Sequence, residues 1–488
     1  MTTLDEVRTV PFDTTAVDRL VTGVLKRWRA PGAAVALVDG DQVYAQGYGV
    51  REAGRPEPVT PHTQFAIGST TKAFTSAAVA LLVDEGKLGW DDHPRKHLPF
   101  FTLSDPTADA NVTLRDLLCH RTGMPRHDAL WYATNWDRAE LVRRYGLAKA
   151  RHPFRAVYEY ANIPYVAAGL AIQAAAGCTW EEFVQGRLLD PLGMTETNFS
   201  VTTAQAAPNH ATPHDDKGKP VAWRNLDVCC PAGGINSNVL DLSRWVRLHL
   251  GRGEFAGQRL ISAANLRQTH VPHMVQLDES PDEFGFDSGV DLASYCLGWE
   301  KIAYRGHVLI THGGAIDGFL AGITLAPHLN RGLVVLTNIT NGYMKTVLLR
   351  KLRDVLLELP PRNWEADVRA WKKAHAAKAK EHKAAQPARH QRTRPSRELS
   401  AYAGNYEDPA YGTLSITCED GALHFHYYAL TAKLKHYHYD TFLATFKEPG
   451  LTAQLKLTFN LDVNGEVATA TIGERWFDAE FTRVVQAG

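Results

Sequence analysis

Ser69-Thr70-Thr71-Lys72 is the single Ser-x-x-Lys in this chain of 488 residues, and it opens an Ala-rich apolar run over residues 73–86. Residues three apart on a helix share a face, so the Lys72 amine can reach the Ser69 hydroxyl. A serine is a weak nucleophile until a neighbouring base takes its proton, and an amine serves when its pKa is depressed. The start of a helix adds unpaired backbone N–H groups and a partial positive charge, both suited to a developing oxyanion. Covalent acyl transfer is the chemistry such a pair would perform. In isolation the same residues read more readily as an N-capping serine beside a solvated lysine, so the decision rests on partners elsewhere.

Two partners follow. Tyr160-Ala161-Asn162, the single Tyr-x-Asn, precedes an apolar helical run over residues 164–176. Residues 308–315 then read as a strand that holds His312 and ends in the glycine pair Gly313-Gly314, with Ala315 after it. Each has an ordinary structural explanation: Tyr160 as a helix-flanking aromatic, Asn162 as a cap, His312 as a satisfied strand-end histidine. Those explanations do not account for all three standing in this order behind Ser69 and Lys72.

In order and context these pieces resemble the serine β-lactamase and penicillin-binding-protein superfamily, on its class C side. The resemblance runs over roughly residues 10–360, and other segments carry it too. Leu117-Leu118-Cys119-His120-Arg121-Thr122-Gly123-Met124-Pro125 is similar to the family's Leu-Leu-x-His-x-Ser-Gly-Leu-Pro turn. Pro191-Leu192-Gly193-Met194 and Pro231-Ala232-Gly233-Gly234 are similar to two more of its runs.

The resemblance implies a division of labour. Ser69 attacks the carbonyl and becomes acylated, while Lys72 and Tyr160 share the general-base and proton-shuttle work. Asn162 either hydrogen-bonds the substrate amide or steadies Lys72. His312, Gly313, Gly314 and Ala315 line the substrate and oxyanion side, with the backbone N–H groups of Ser69 and Ala315 as the oxyanion hole. The chain also departs from the family pattern. His312 stands where a β-lactamase carries the lysine of Lys-Thr-Gly, and Gly313 has no hydroxyl. A histidine of ordinary pKa, about 6.5, is mostly neutral at pH 7, which weakens the grip on a substrate carboxylate. It also implies that activity titrates with His312 if that ring touches substrate. Ser-Asp-Asn is replaced by Tyr-Ala-Asn. These features resemble the esterases, D-amino-acid peptidases and amidases more than the antibiotic-destroying members.

The elements that must position these residues follow from pattern. A helix over 14–28 precedes a hairpin, 32–38 and 43–49, reversed at Asp39-Gly40-Asp41. Strand-like runs at 296–304, 307–312, 319–325 and 332–338 lead to a helix over 345–359, and a helical region lies between the two blocks. Thr179-Trp180-Glu181-Glu182 is a capping box within it. The expected fold is α/β (α+β): an antiparallel sheet flanked by helices, plus a C-terminal small antiparallel β-barrel. The expected domains are 1–360, the hydrolase unit; 361–398, a charged helical linker; and 399–488, the barrel. Residues 362–397 hold eleven Lys and Arg against Glu365, Asp367 and Glu381. From 399 onward, eight short alternating strands read as an up-and-down barrel. Tyr402-Ala403-Gly404-Asn405-Tyr406 and Tyr411-Gly412 resemble a lipocalin-like domain found on some esterases and peptidases of this superfamily.

Composition narrows the partners. Lysine plus arginine equals aspartate plus glutamate, 53 each, so no global charge points to nucleic acid or an anionic membrane. Aromatic residues in the basic segment are limited to Trp364 and Trp371, too few for a nucleic-acid patch. No secretory signal and no long apolar run stands in the sequence, which implies a cytoplasmic protein. Six scattered cysteines without Cys-x-x-Cys spacing read as reduced thiols. His424/His426 and His436/His438 read as polar strand faces rather than a zinc site, so no metal and no cofactor is expected. Trp131, Tyr132, Trp136, Trp223 and Tyr295 are candidate pocket aromatics. The expected activity is hydrolysis of small esters, amides or peptides, including D-amino-acid peptides. An acyltransferase using the same acyl-serine, a β-lactamase and a non-catalytic scaffold are the alternatives. Any homo-oligomer would form through the C-terminal domain.

Overall fold

The computed structural model describes residues 12–276, 290–385, 389–448 and 451–484. Residues 1–11 of the expected first domain and residues 386–388 of the charged segment lie outside the described residues.

The two ends of the first domain meet in one antiparallel sheet. Its strands are β1 (Gly32–Asp39), β2 (Gln42–Gly49), β3 (Met274–Val275), β4 (Val290–Tyr295), β5 (Glu300–Tyr304), β6 (His307–Ile316), β7 (Phe319–Ala326) and β8 (Arg331–Thr337). They stand in the order β2-β1-β8-β7-β6-β5-β4-β3. The β1 run is apolar without alternation because both its faces are covered. Ala34, Ala36 and Val38 join one apolar core, and Ala33, Val35 and Leu37 join the other. Helices α1 (Thr14–Trp28) and α5 (Gly342–Leu356) cover the second face. On the first face lie α2 (Lys72–Asp84), α3 (Ile163–Ala176) and α4 (Val239–Leu250).

Helix α2 is buried from Lys72 through Leu82. Its alanines let neighbours close in on every side, as a helix inside a core requires. Phe74 stacks on Trp245 of α4 with ring centroids 3.8 Å apart.

Two elements differ from the sequence reading in ways that matter to the site. Residues 296–304 do not form one strand: the chain turns at Gly298, φ +74°, where a Cβ would stand 2.6 Å from the Lys72 carbonyl oxygen. The expected strand 307–312 runs on through the glycine pair to Ile316.

Helix α6 (Trp364–Ala385) takes up most of the charged segment. It is anchored by Trp364, fully buried, whose indole donates to Asp354 at 2.7 Å.

The C-terminal sheet has nine strands rather than eight: β9 (Gly404–Asp408), β10 (Gly412–Glu419), β11 (Ala422–Tyr427), β12 (Leu430–Lys433), β13 (Lys435–His438), β14 (Thr441–Glu448), β15 (Leu451–Leu461), β16 (Val467–Glu474) and β17 (Phe477–Arg483). The extra strand arises because one segment changes neighbours at Leu434. Before it, β12 pairs with β11; after it, β13 pairs with β14. These two strands are the ends of the sheet order, so the switch brings the barrel nearly to closure. Its interior is filled by rings, among them Tyr406, Tyr411, Tyr427, Phe459, Phe477 and Phe481.

The barrel docks on residues 127–159. Tyr411 bonds His127 at 2.7 Å, the Ala129 N–H donates to the Trp476 carbonyl at 3.0 Å, and Arg475 pairs with Glu159 at 2.7 Å.

Candidate active site

Ser69 stands in a single tight turn, Gly68–Thr71, that feeds α2. Gly68 has φ +52°, and a Cβ there would lie 2.8 Å from the Ala315 nitrogen. A Cβ on Gly314 would lie 2.0 Å from the Ile67 carbonyl oxygen. Both positions demand glycine, because only without a Cβ can the serine turn rest directly on β6. That contact brings Ser69 and Ala315 to the same wall of one cavity of about 1160 Å³.

The Lys72 amine donates to the Asn162 amide oxygen at 2.8 Å and to the Ala232 carbonyl at 2.9 Å, and lies 3.2 Å from Ser69 Oγ. Burial, the largest influence on it, pushes its pKa down to about 7, because a charged ammonium loses its hydration there. A neutral amine has two hydrogens and one lone pair. With the hydrogens committed to Asn162 and Ala232, the lone pair is left for the Ser69 hydroxyl proton. Tyr160 lines the cavity, its ring centre 4.8 Å from Lys72 Nζ.

Asn162 precedes α3 but makes no side-chain capping bond there. Its side chain instead joins Lys72 to Asp128, donating to Asp128 Oδ1 at 3.1 Å.

His312 and Gly313 line the same cavity, and Gly314 lies beneath its surface. His312 is a neutral ring with an assigned tautomer. Its Nδ1 faces the Gly313 carbonyl at 2.6 Å and must be the donor, so Nε2 accepts from the Tyr295 hydroxyl at 2.9 Å. Burial pushes its pKa down to about 3, with Lys72 adding to the shift. The expected titration of activity through His312 is thereby corrected: the ring stays neutral across the physiological range.

The sequence reading missed several residues in this cavity. One is Lys345 of α5, which lines the cavity with its Nζ 3.4 Å from where a Cβ on Gly313 would stand. Asp128 and Arg126 sit at the rim, bonded to each other at 2.6 Å. Arg475 and Trp476, from the turn between β16 and β17, form part of the wall. No local motif marks these residues; they arrive by tertiary folding. Ala232 lies in a flagged motif, but its carbonyl's role is invisible in side-chain spacing. Of the candidate aromatics, Trp131 and Tyr132 line the cavity, whereas Trp136 packs against Tyr428 of the barrel and Trp223 against Phe319. Cys229 also reaches the cavity, but burial raises its thiol to about 12, which keeps it protonated and unreactive.

A helix-flanked antiparallel sheet with a serine and a buried lysine at its edge defines the β-lactamase-fold class of serine hydrolases. Residues 17–357 match the model of the family described as Beta-lactamase, and the chain belongs to that family. Residues 388–486 match a domain of unknown function, DUF3471. The unguisins hydrolase ungD of Aspergillus violaceofuscus is 30% identical, over 93% of this chain and 82% of that protein. The octameric penicillin-binding protein homologue from Pyrococcus abyssi superposes with a TM-score of 0.62 at 21% identity, covering 97% of this chain and all of that one. The D-alanine carboxypeptidase AmpC from Burkholderia cenocepacia gives 0.57 at 22% identity, over 70% of this chain and all of that one. Among the described residues, no helix is long and apolar enough to cross a membrane.

Proposed function

We propose that this protein hydrolyses amide or ester bonds of small peptides and related acyl compounds through an acyl-Ser69 intermediate. The observation that carries the reading is the Lys72 amine, buried, depressed to a pKa of about 7, and 3.2 Å from Ser69 Oγ. In this reading Ser69 Oγ attacks the carbonyl carbon as its proton passes to Lys72. The backbone N–H groups of Ser69 and Ala315 hold the oxyanion; losing one such donor typically costs about 3 kcal/mol in the barrier. Tyr160 relays that proton from Lys72 to the leaving amine or alcohol, giving up its own and taking the lysine's, the C–N or C–O bond breaks, and water then releases the acid by the reverse proton path.

Peptide substrates are favoured by the cavity itself. Its volume of about 1160 Å³ exceeds what a small ester fills, and its wall offers aromatic rings beside charged groups such as Arg126, Lys345 and Arg475. Lys345 beside Gly313 supports recognition of a substrate carboxylate, which D-amino-acid peptides carry. The relative named as a hydrolase at 30% identity supports hydrolysis over transfer to another acceptor.

The test is intact-mass detection of a covalent adduct after exposure to p-nitrophenyl esters, D-peptides and penicillins. Ser69→Ala should abolish both adduct and turnover while leaving the melting temperature unchanged. Turnover that survives this substitution would end the reading. Nitrocefin turnover rivalling that of the esters would favour a β-lactamase instead.

A further inference from the structure

The segment 126–129 is the meeting point of the barrel and the catalytic lysine. Asp128 directly precedes a short helix, Ala129–Tyr132, yet its side chain makes no capping bond. It turns toward the site instead. Oδ1 accepts from Asn162 Nδ2 at 3.1 Å and from the Trp131 indole at 2.7 Å, and Oδ2 accepts from Arg126 Nε at 2.6 Å. A carboxylate only accepts, so it dictates which end of the Asn162 amide faces it: the nitrogen. The amide oxygen is thereby left for Lys72, at 2.8 Å.

Both neighbours of Asp128 in the chain are held by the barrel. His127 is fully buried at φ +47°, and its Nδ1 bonds the Tyr411 hydroxyl at 2.7 Å. The Ala129 N–H donates to the Trp476 carbonyl at 3.0 Å. A non-glycine residue in the left-handed region persists only where its surroundings fix it, and Tyr411 is part of what fixes His127. The same Tyr411 hydroxyl accepts from the Asp478 N–H at 3.1 Å, which ties it to the start of β17.

We infer that Asp128 is a positioning residue that orients Asn162 and, through it, Lys72, and that the C-terminal barrel sets Asp128 by gripping His127 and Ala129. This rests on Ser69 and Lys72 acting as proposed above. The barrel is then a part of the acylation machinery rather than an appendage. A path of direct contacts runs from Tyr411 through His127, Asp128 and Asn162 to Lys72.

The electrostatics give a readout that a merely structural role would not move. Lys72 is faced by Cys229, Arg126 and Asp128, by the rings of Tyr160 and Tyr165, and by the neutral His120 and His312. Among these, the Asp128 carboxylate favours the charged ammonium and Arg126 opposes it. Removing the Asp128 charge must therefore lower the Lys72 pKa, and the acid limb of kcat/KM should move to lower pH.

Asp128→Asn keeps the shape, so the full-length variant should fold with an unchanged melting temperature. The rate of Ser69 acylation by a p-nitrophenyl ester, followed by intact mass and by released nitrophenol across pH, should fall on the order of tenfold or more. Its acid limb should shift downward, and Asp128→Glu should recover part of the rate. Tyr411→Phe should cut acylation in the same direction but less. In the double variant its effect should largely vanish, because the relay is already broken. An Asp128→Asn protein with an unshifted acid limb and a rate within twofold of wild type would overturn the positioning role. Strictly multiplicative effects of the two substitutions would overturn the barrel link. Wild-type protein that takes up no acyl group would fell the serine-hydrolase reading, and this one with it.

Discussion

The surroundings of Ser69 and the interior of the C-terminal barrel are both buried, but by opposite means. Around Ser69 the fold buries an amine, an amide and a histidine, and gives each a specific partner: Lys72 to Asn162 and Ala232, His312 to Tyr295 and Gly313. Inside the barrel it buries rings, such as Phe477 stacked on Tyr411 at 4.9 Å. The first kind of burial sacrifices stability to hold a lysine near neutrality, since the ammonium would rather be hydrated. The second supplies apolar burial without chemistry of its own. The barrel's contribution to the site comes from its rim, where the β16–β17 turn brings Arg475 and Trp476 to the cavity. A filled core thus serves as a rigid mount for a turn that works elsewhere.

Substitutions can break or sharpen this contrast. The largest effect belongs to Lys72→Met, expected to cost roughly 10²–10⁴-fold in kcat/KM. Wild-type kcat/KM should rise with pH through about 7, because the amine must lose its proton to act as base. The variant should lack that limb; an identical pH profile would mean that some other base does the work.

Phe477→Ala should come next, through stability rather than chemistry. Removing a fully buried ring typically costs about 3–5 kcal/mol, read as a lower urea midpoint. Because Phe477 follows directly on Trp476, residual folded protein should also show a raised KM. An unaltered midpoint would show that the barrel's rings do not stabilise it.

Arg475→Ala should do the reverse, touching activity more than stability. Its side chain is 49% exposed, and its buried partner Glu159 keeps a second contact with His152 at 3.5 Å, so the melting temperature should fall less than in Phe477→Ala. A loss in kcat/KM of about tenfold or less is expected. A drop in stability as large as that of Phe477→Ala would contradict the separation of rim from core.

The smallest change in profile is expected at His312. With its pKa held at about 3, the neutral ring contributes no titration at ordinary pH. His312→Asn should lower kcat modestly by freeing Tyr295, while the pH dependence above about 5 stays that of Lys72. A shifted limb near neutral pH would restore the sequence-based view of His312 as a titrating group.

Much of this was legible in the chain. The Ser69–Lys72 spacing is a local helical fact, and helix geometry carries it directly into three dimensions. The turn chemistry of Asp39-Gly40-Asp41 and the capping box at Thr179 are equally local, and both elements form where expected. The barrel's ninth strand was not legible. Nothing within residues 430–438 signals that the backbone changes neighbours at Leu434; that depends on strands far away in sequence. Asn162 was legible in part: the resemblance allowed it to steady Lys72, as its bond to that amine does, but the Asp128 carboxylate that holds the other end of its amide carried no signal in the sequence.

The amino-acid sequence by itself determined which groups stand together, because the Ser69 hydroxyl, the Lys72 amine and their helical spacing are set within one turn of chain. It also determined, through apolar patterning, that a sheet, helices and a strand-rich tail would form. Only the tertiary structure decided what state those groups are in. The depression of Lys72, the neutrality of His312, the arrival of Lys345 from α5 beside Gly313, and the barrel's hold on either side of Asp128 all depend on which distant segments exclude water and which carbonyls and carboxylates they present. Hydration and long-range pairing are properties of the folded volume, and no spacing along a chain encodes them locally.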